Sequence, residues 1–332
     1  MKPSIRNNIQ YGVVIPSKNR FPYVIKTLSR LQNSKNPPKV VAIIDSSANA
    51  IELGDQVKSL IPEPKFKVSW LFSPKSGTAV QRNTGIEYLK TNFPDLEWVM
   101  LLDDDLIFED SFFNNIDFSG LDKSALWFAL PTDSRAEMKN KKEDGAAKKI
   151  CKALGLYPNP GRIAASGFHA SLNFDADIDF DIEWAPSALM VFYIGQDSIF
   201  PSRPFSENFG GYGYLEDLEM SLRMRNSGIG LRLLDIRIEH PTILRDSFMF
   251  GKIEVVNRAK ILKAMKNGSV VMFLTMISLR ILKSLWEGLH GRIGITRFFG
   301  SLYGFFLVIV DLGIGLVNGE DRKNGDSGAT YR

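Results

Sequence analysis

The sequence predicts an α/β fold, a largely parallel sheet with helices on both faces, followed by a C-terminal helical segment of different character. Three observations lead there. Short runs rich in Val and Ile alternate with helical patterns of ten to fifteen residues. Two of those runs end on carboxylates, at Asp45 and Asp103. From about residue 250 the chain turns both basic and strongly apolar.

The elements follow in order. Residues 11–16 (YGVVIP) form a first strand closed by Pro16, and residues 21–33 a helix with Val24, Leu28 and Leu31 on one face. Residues 39–45 (KVVAIID) and 66–72 (FKVSWLF) are further strands, with a helix over 51–60 between them. A helix over 77–92 leads to the strand 97–103 (EWVMLLD). Strands follow at 125–130, 185–194 and 229–236, with a helix at 214–226. The polar stretch 139–149 (KNKKEDGAAKK) is expected to be a mobile loop able to act as a lid. Residues 270–289 and 298–317 are apolar helices interrupted by Arg280, Lys283 and Asp311, and the last fifteen residues form a polar, disordered tail. The expected organisation is therefore a domain over 1–248, a helical region over 249–317 and a tail over 318–332.

Composition excludes several classes. The net charge of +4 is too small to suggest nucleic acid. It is unevenly placed, however: residues 251–300 hold nine Lys/Arg against Glu254 and Glu287, so that window carries +7 and the remainder −3. Basic residues beside Trp286, Phe298, Phe299 and Tyr303 fit helices lying at a membrane surface, the alternatives being a helical subdomain packed on the first domain or on a second subunit, and a membrane-spanning helix. The single cysteine, Cys151, rules out an intrachain disulfide and a Cys-rich zinc site. The opening MKPSIRNNIQ has no apolar signal-peptide core. The expected location is cytoplasmic, peripheral on the inner face of the membrane.

Four groups of residues carry chemistry. Asp103, Asp104 and Asp105 stand together at the end of a buried strand, where mutual repulsion calls for a compensating cation. Oxygen ligands suit Mn²⁺ or Mg²⁺. Read alone, the three are equally an acidic turn. Glu216 and Asp217 open a helix whose dipole favours their ionised form, as a general base requires. Arg82 and Asn83 lie on a helix that starts after a Gly-led turn and offer phosphate and nucleotide contacts. His240, ahead of Pro241, can complete a metal site or meet a leaving phosphate. Trp184 is equally a core residue or an apolar wall for a sugar ring.

Together these stretches resemble family 2 glycosyltransferases of the GT-A fold over roughly residues 10–245. VVIPSKNR (13–20) is similar to the first strand and nucleotide-holding turn, with Pro16 in it. Asp45 stands where the family keeps an aspartate for the base. QRNTG resembles the arginine-asparagine helix, LLDDD the DXD metal motif, and GYLEDLEMSLRMRNSG the ED motif. His240 matches a histidine that often follows the next strand. The resemblance implies a Rossmann-like nucleotide-binding sheet and an inverting, metal-dependent hexosyl transfer from a UDP, dTDP or GDP sugar. Its implied metal ligands are Asp105, Asp103 and His240, with Asp103 and Asp104 alternatives for the ribose. Pro16, Asp45, Arg82 and Asn83 would hold the nucleotide, Asp217 would be the base, and Glu216 and Trp184 would support the acceptor. A glycan or lipid-linked acceptor, in cell-surface polysaccharide or glycolipid assembly, is the expected setting. The rival readings are a nucleotidyltransferase and an inactive carbohydrate-binding scaffold. The former would need a Gly-rich phosphate loop that PSKNR lacks. The insertion over 131–183 is expected to shape the acceptor side.

Overall fold

A computed structural model describes residues 9–108, 113, 116–132, 146–170, 182–209, 213–240, 247–291 and 294–318. The chain divides into two compact units. The first comprises residues 1–152, 157–163 and 169–243, and the second residues 153–156, 164–168 and 244–332.

The first unit is a seven-stranded mixed sheet with helices. Its elements are β1 (Tyr11–Ser17), α1 (Phe21–Asn33), β2 (Val40–Asp45), α2 (Ala50–Leu60), β3 (Lys67–Phe72), α3 (Thr78–Asn92), β4 (Trp98–Leu102), β5 (Ala125–Thr132), α4 (Ala146–Ala153), β6 (Leu189–Tyr193), α5 (Glu216–Asn226) and β7 (Gly230–Glu239). The order across the sheet is β3-β2-β1-β4-β6-β5-β7. β1 to β4 pair in parallel, as the βαβ rhythm requires. β6 runs antiparallel to both β4 and β5, a departure from the expected parallel sheet. Antiparallel pairing needs no helical crossover.

Strands β1, β2, β4 and β6 are buried along their whole length, so both faces are covered. The period of two divides β1 between the two layers. Val13 and Ile15 pack with Val24, Leu28 and Leu31 of α1. Val14 packs with Ala79, Ile86 and Leu89 of α3.

The second unit contains α6 (Phe248–Ala264), α7 (Val270–Leu289) and α8 (Ile295–Asn318). Its core is Phe168, Val255, Ala259, Leu262, Phe273, Ile277, Ile281 and Val308. Helix α6 had no counterpart in the sequence expectations, because its buried side includes Glu254, Asn257 and Arg258 and so breaks the apolar stripe. Within α8, Ile295–Leu312 is long and apolar enough to cross a membrane, with a mean hydropathy of 1.6. Of the expected loop 139–149, residues 146–149 belong to α4 and residues 139–145 lie outside the described residues. So do 133–138 and 171–181 of the expected insertion, the 210–212 turn and the tail from 319.

Candidate active site

The site begins where two strands part. The β1–β4 ladder ends at Val14↔Leu101, whereas β1–β2 pairing runs on through Ser17↔Asp45. Pro16 has no N–H to extend a ladder. β1 and β4 are also where the strand order reverses, so a crevice opens at their carboxyl ends, the usual ligand position in an open α/β sheet.

The turn after β4 lines that crevice. The Asp103 N–H donates to the Ala188 carbonyl at 2.9 Å, which fixes the start of the turn. Asp104 is buried, with one oxygen accepting from Ser17 Oγ at 2.8 Å and the other from Arg20 at 3.1 Å. Both oxygens are thus taken by protein, and Asp104 braces the turn. The same Arg20 pairs with Asp105 Oδ2. Asp103 Oδ1 accepts from Arg82 at 2.7 Å. That leaves Asp103 Oδ2 and Asp105 Oδ1, which lie 3.8 and 3.5 Å from His240 Nε2.

His240 arrives by an indirect route. β7 lies at the edge of the sheet, three strands from β4. After the aspartates the chain runs back to it. Ile107 N–H donates to the Glu239 carbonyl at 2.9 Å, and Glu239 N–H donates to the Ile107 carbonyl at 2.8 Å. This two-bond bridge places His240 beside Asp105.

These residues fit a divalent cation. Two free carboxylate oxygens face one imidazole, a donor set that Mn²⁺ or Mg²⁺ accepts. Among the described residues, no group of three or more His, Cys, Asp or Glu side chains is already gathered closely enough to hold a metal ion. Charge points the same way. Among the described residues, Asp103, Asp104, Asp105, Glu216 and Asp217 have Arg20 and Arg82 as guanidinium partners. Burial pushes the Asp104 carboxyl up to about 6 despite its bonds to Ser17 and Arg20. It pushes Glu216 up to about 8 against the pull of Arg82.

Arg82 joins the two halves of the site. It is buried on α3, with Nη2 on Asp103 and Nη1 on Glu216 Oε1 at 2.5 Å. Burial alone would lower its pKa, but Asp103 and Glu216 outweigh that and hold it charged. With both terminal nitrogens occupied and Nε without a partner, Arg82 acts as a clamp between the two halves. Asn83 is likewise engaged. It is fully buried, donating to the Phe205 carbonyl at 2.8 Å and Glu207 at 3.1 Å and accepting from Phe205 N–H at 3.0 Å. Its hydrogen-bonding groups are spent on pinning that loop.

Glu216 and Asp217 start α5 after an unusual turn. Leu215 is buried at φ 71°, a left-handed conformation that costs a branched residue energy. Gly213, at φ 63°, has room for no Cβ beside Glu216 and Thr78. Asp217 keeps part of its surface open and accepts from the backbone of Leu218 and Ser187. Burial still raises its pKa, more than Arg82 lowers it.

Asp45 closes the other end of the crevice. Its Oδ1 accepts from Ser47 N–H at 2.9 Å and from Ser47 Oγ at 2.5 Å. Its Oδ2 is enclosed without a hydrogen-bond partner, which suits an incoming N–H of a base. Ser47 Oγ also accepts from Asn19 N–H at 2.7 Å, tying the β1 and β2 turns together. Asn19 itself is left-handed, at φ 57°. Trp184 is turned into the core, stacked edge-on to His169 with its indole N–H on the Ala170 carbonyl at 3.0 Å.

Three residues had no assigned role in the sequence reading: Ser17, Arg20 and Gln81. Gln81 is buried and bonds the Ser17 and Ile44 carbonyls, each at 2.7 Å, at the ends of β1 and β2. The signal available was three consecutive polar residues at 81, 82 and 83 within a helix that also carries the apolar Ala79, Ile86 and Leu89.

A parallel sheet half with an acidic crevice at its switch point belongs to the class of α/β architectures that hold nucleotides and phosphates. More particularly, residues 12–116 match the model of glycosyl transferase family 2. A search of curated proteins by sequence finds no match. Among solved structures, a mannosyltransferase from Pyrobaculum calidifontis, in complex with GDP-Man and Mn²⁺, is similar at 13% identity and a TM-score of 0.46, over 92% of this chain and 80% of that one. Glucosyl-3-phosphoglycerate synthase from Mycobacterium tuberculosis, with Mn²⁺, UDP and glucosyl-3-phosphoglycerate, is similar at 12% identity and a TM-score of 0.45, over 77% and 80%. TarS of S. aureus follows at 13% and 0.41, over 76% of this chain and 42% of that one.

Proposed function

We propose that this chain is an inverting, metal-dependent glycosyltransferase of the GT-A type. Its donor is a UDP, dTDP or GDP sugar, and its acceptor is a hydroxyl of a glycan or lipid-linked saccharide. The setting is cell-surface polysaccharide or glycolipid assembly on the cytoplasmic side of a membrane. One observation carries the proposal: Arg82 ties Asp103, on the cation-facing side, to Glu216, the neighbour of Asp217. Groups suited to a nucleoside diphosphate and a group suited to proton abstraction therefore share one crevice.

Asp103 Oδ2, Asp105 Oδ1 and His240 Nε2 would hold Mn²⁺ or Mg²⁺. When bound, the cation offsets charge on the departing diphosphate. Asp45 Oδ2 receives the base, and Ser17, Arg20 and Asp104 set the shape of the turn around the ribose. Asp217 takes the proton of the acceptor hydroxyl, and its raised pKa makes it a stronger base than an exposed aspartate. Arg82 keeps Asp103 and Glu216 at fixed separation throughout.

The test is Asp217→Asn. Transfer is expected to fall by about a thousandfold or more, with nucleotide affinity within about twofold of the parent. Normal turnover in that variant would remove Asp217 from the mechanism.

A further inference from the structure

In the second unit, α8 turns large apolar residues outward beside an apolar core. Along α8, Phe299, Leu302, Phe306, Ile309 and Val310 recur at helical spacing and face outward, with Phe306 62% exposed, and half-exposed Tyr303 beside them rests on Phe248 and Lys252 of α6. The side turned to α6 is rich in small or polar residues, with Arg297, Gly300, Ser301 and Gly304 all buried, while Val308, Phe298, Phe305 and Leu312 join the apolar core. The two helices meet backbone to backbone. A Cβ at Gly300 would collide with the Phe248 carbonyl, and one at Gly304 would come within 2.8 Å of the Lys252 carbonyl.

The charges are inside as well. Glu254 on α6 is 2% exposed, with Arg297 at 2.8 Å and Arg280 at 3.3 Å. In water, a helix normally turns its large apolar residues inward and its charges outward. In a bilayer the preference reverses: small residues form the helix contact, charges pair inside, and large apolar residues face lipid. The exposed apolar row is far longer than the scattered apolar residues of an ordinary surface.

Charge selects the kind of lipid. The 251–300 window holds nine Lys/Arg and two acids. Lys263 and Lys283 are well exposed, as is Asp311 in its pair with Lys263. Such groups belong at headgroup depth; Asp311 and Glu287 balance these two lysines, and exposed Lys266 adds the positive charge that complements anionic headgroups.

We propose that the outward face of α8 is a bilayer-docking surface that inserts at the interface of anionic membranes. It stands independently of the transfer reaction. Vesicle sedimentation with the full chain tests it, using phosphatidylglycerol–phosphatidylcholine vesicles and pure phosphatidylcholine vesicles. Binding is expected to be stronger to the anionic vesicles and to weaken with salt. F299S and F306S should each lower the partition coefficient by about tenfold. Unchanged thermal unfolding of these variants would show that the fold is kept. Brominated lipids should quench Trp286, which is 46% exposed, and the loss of quenching in W286F assigns the signal. Lack of vesicle binding by the parent chain would overturn the proposal. So would Phe299 and Phe306 variants that bind vesicles normally but dissociate a parent dimer, since the face would then belong to a second copy.

Discussion

Arg82→Lys probes the clamp most sharply. Arg82 is 2% exposed and meets Asp103 at 2.7 Å and Glu216 at 2.5 Å through different nitrogens. A lysine has one ammonium and can replace only one of these bonds. The lost bond is charge-assisted, worth about 1.5–3 kcal/mol. If the lysine keeps Asp103, Glu216 loses its nearest cation and its pKa climbs beyond about 8. The sign then follows. A buried acid with a raised pKa holds its proton when folded and releases it when unfolded, so stability falls as pH rises between the two values. Below pH 8 this contribution is common to parent and variant. Above pH 8 it continues only in the variant, adding about 1.4 kcal/mol per pH unit. Urea unfolding in metal-free buffer at pH 6 and pH 9 measures the difference. Arg82→Lys is expected to be about 2 kcal/mol less stable at pH 6 and about 3–4 kcal/mol less stable at pH 9. Equal stability at both values, or a smaller deficit at pH 9, would refute the clamp.

Other perturbations follow from the same geometry. Because burial raises the Asp217 pKa, the acid limb of the kcat profile should lie above the ordinary aspartate range, with turnover rising with pH through it. A limb near pH 4 would detach that residue from the rate. Ile107→Pro removes the N–H that bonds the Glu239 carbonyl and should release His240. Calorimetric Mn²⁺ affinity in the presence of nucleotide should drop about 10–100-fold, matching His240→Ala; an unchanged affinity in both would exclude His240 from the metal. Trp184→Phe loses one buried hydrogen bond, so a stability cost of about 1 kcal/mol with normal transfer is expected from denaturation and activity measurements. A selective loss of transfer would return Trp184 to the acceptor site.

The parallel half of the sheet was legible because Val13–Ile15 and Val40–Ile44 are doubly buried and read as continuous apolar runs. Asp45 and the three aspartates stood out as charges at the ends of such runs. The direction of β6 was not legible, since an apolar pentapeptide such as LMVFY carries no mark of parallel or antiparallel pairing. Individual roles were harder still. Asp103, Asp104 and Asp105 are chemically alike, and only the positions of Ser17, Arg20, Arg82 and His240 tell them apart. Arg82 and Asn83 were singled out, but not the partners that occupy them, which lie more than a hundred residues onward at Glu216 and Phe205.

The most direct measurement follows nucleotide-sugar consumption by the purified chain in proton NMR. UDP, GDP and dTDP sugars are offered with and without Mn²⁺, alongside Asp217→Asn. The expected result is Mn²⁺-dependent release of the nucleoside diphosphate from one donor class, with an inverted anomeric configuration in the product and no turnover by Asp217→Asn. Retention of configuration, or turnover that survives Asp217→Asn, would contradict the proposed transfer.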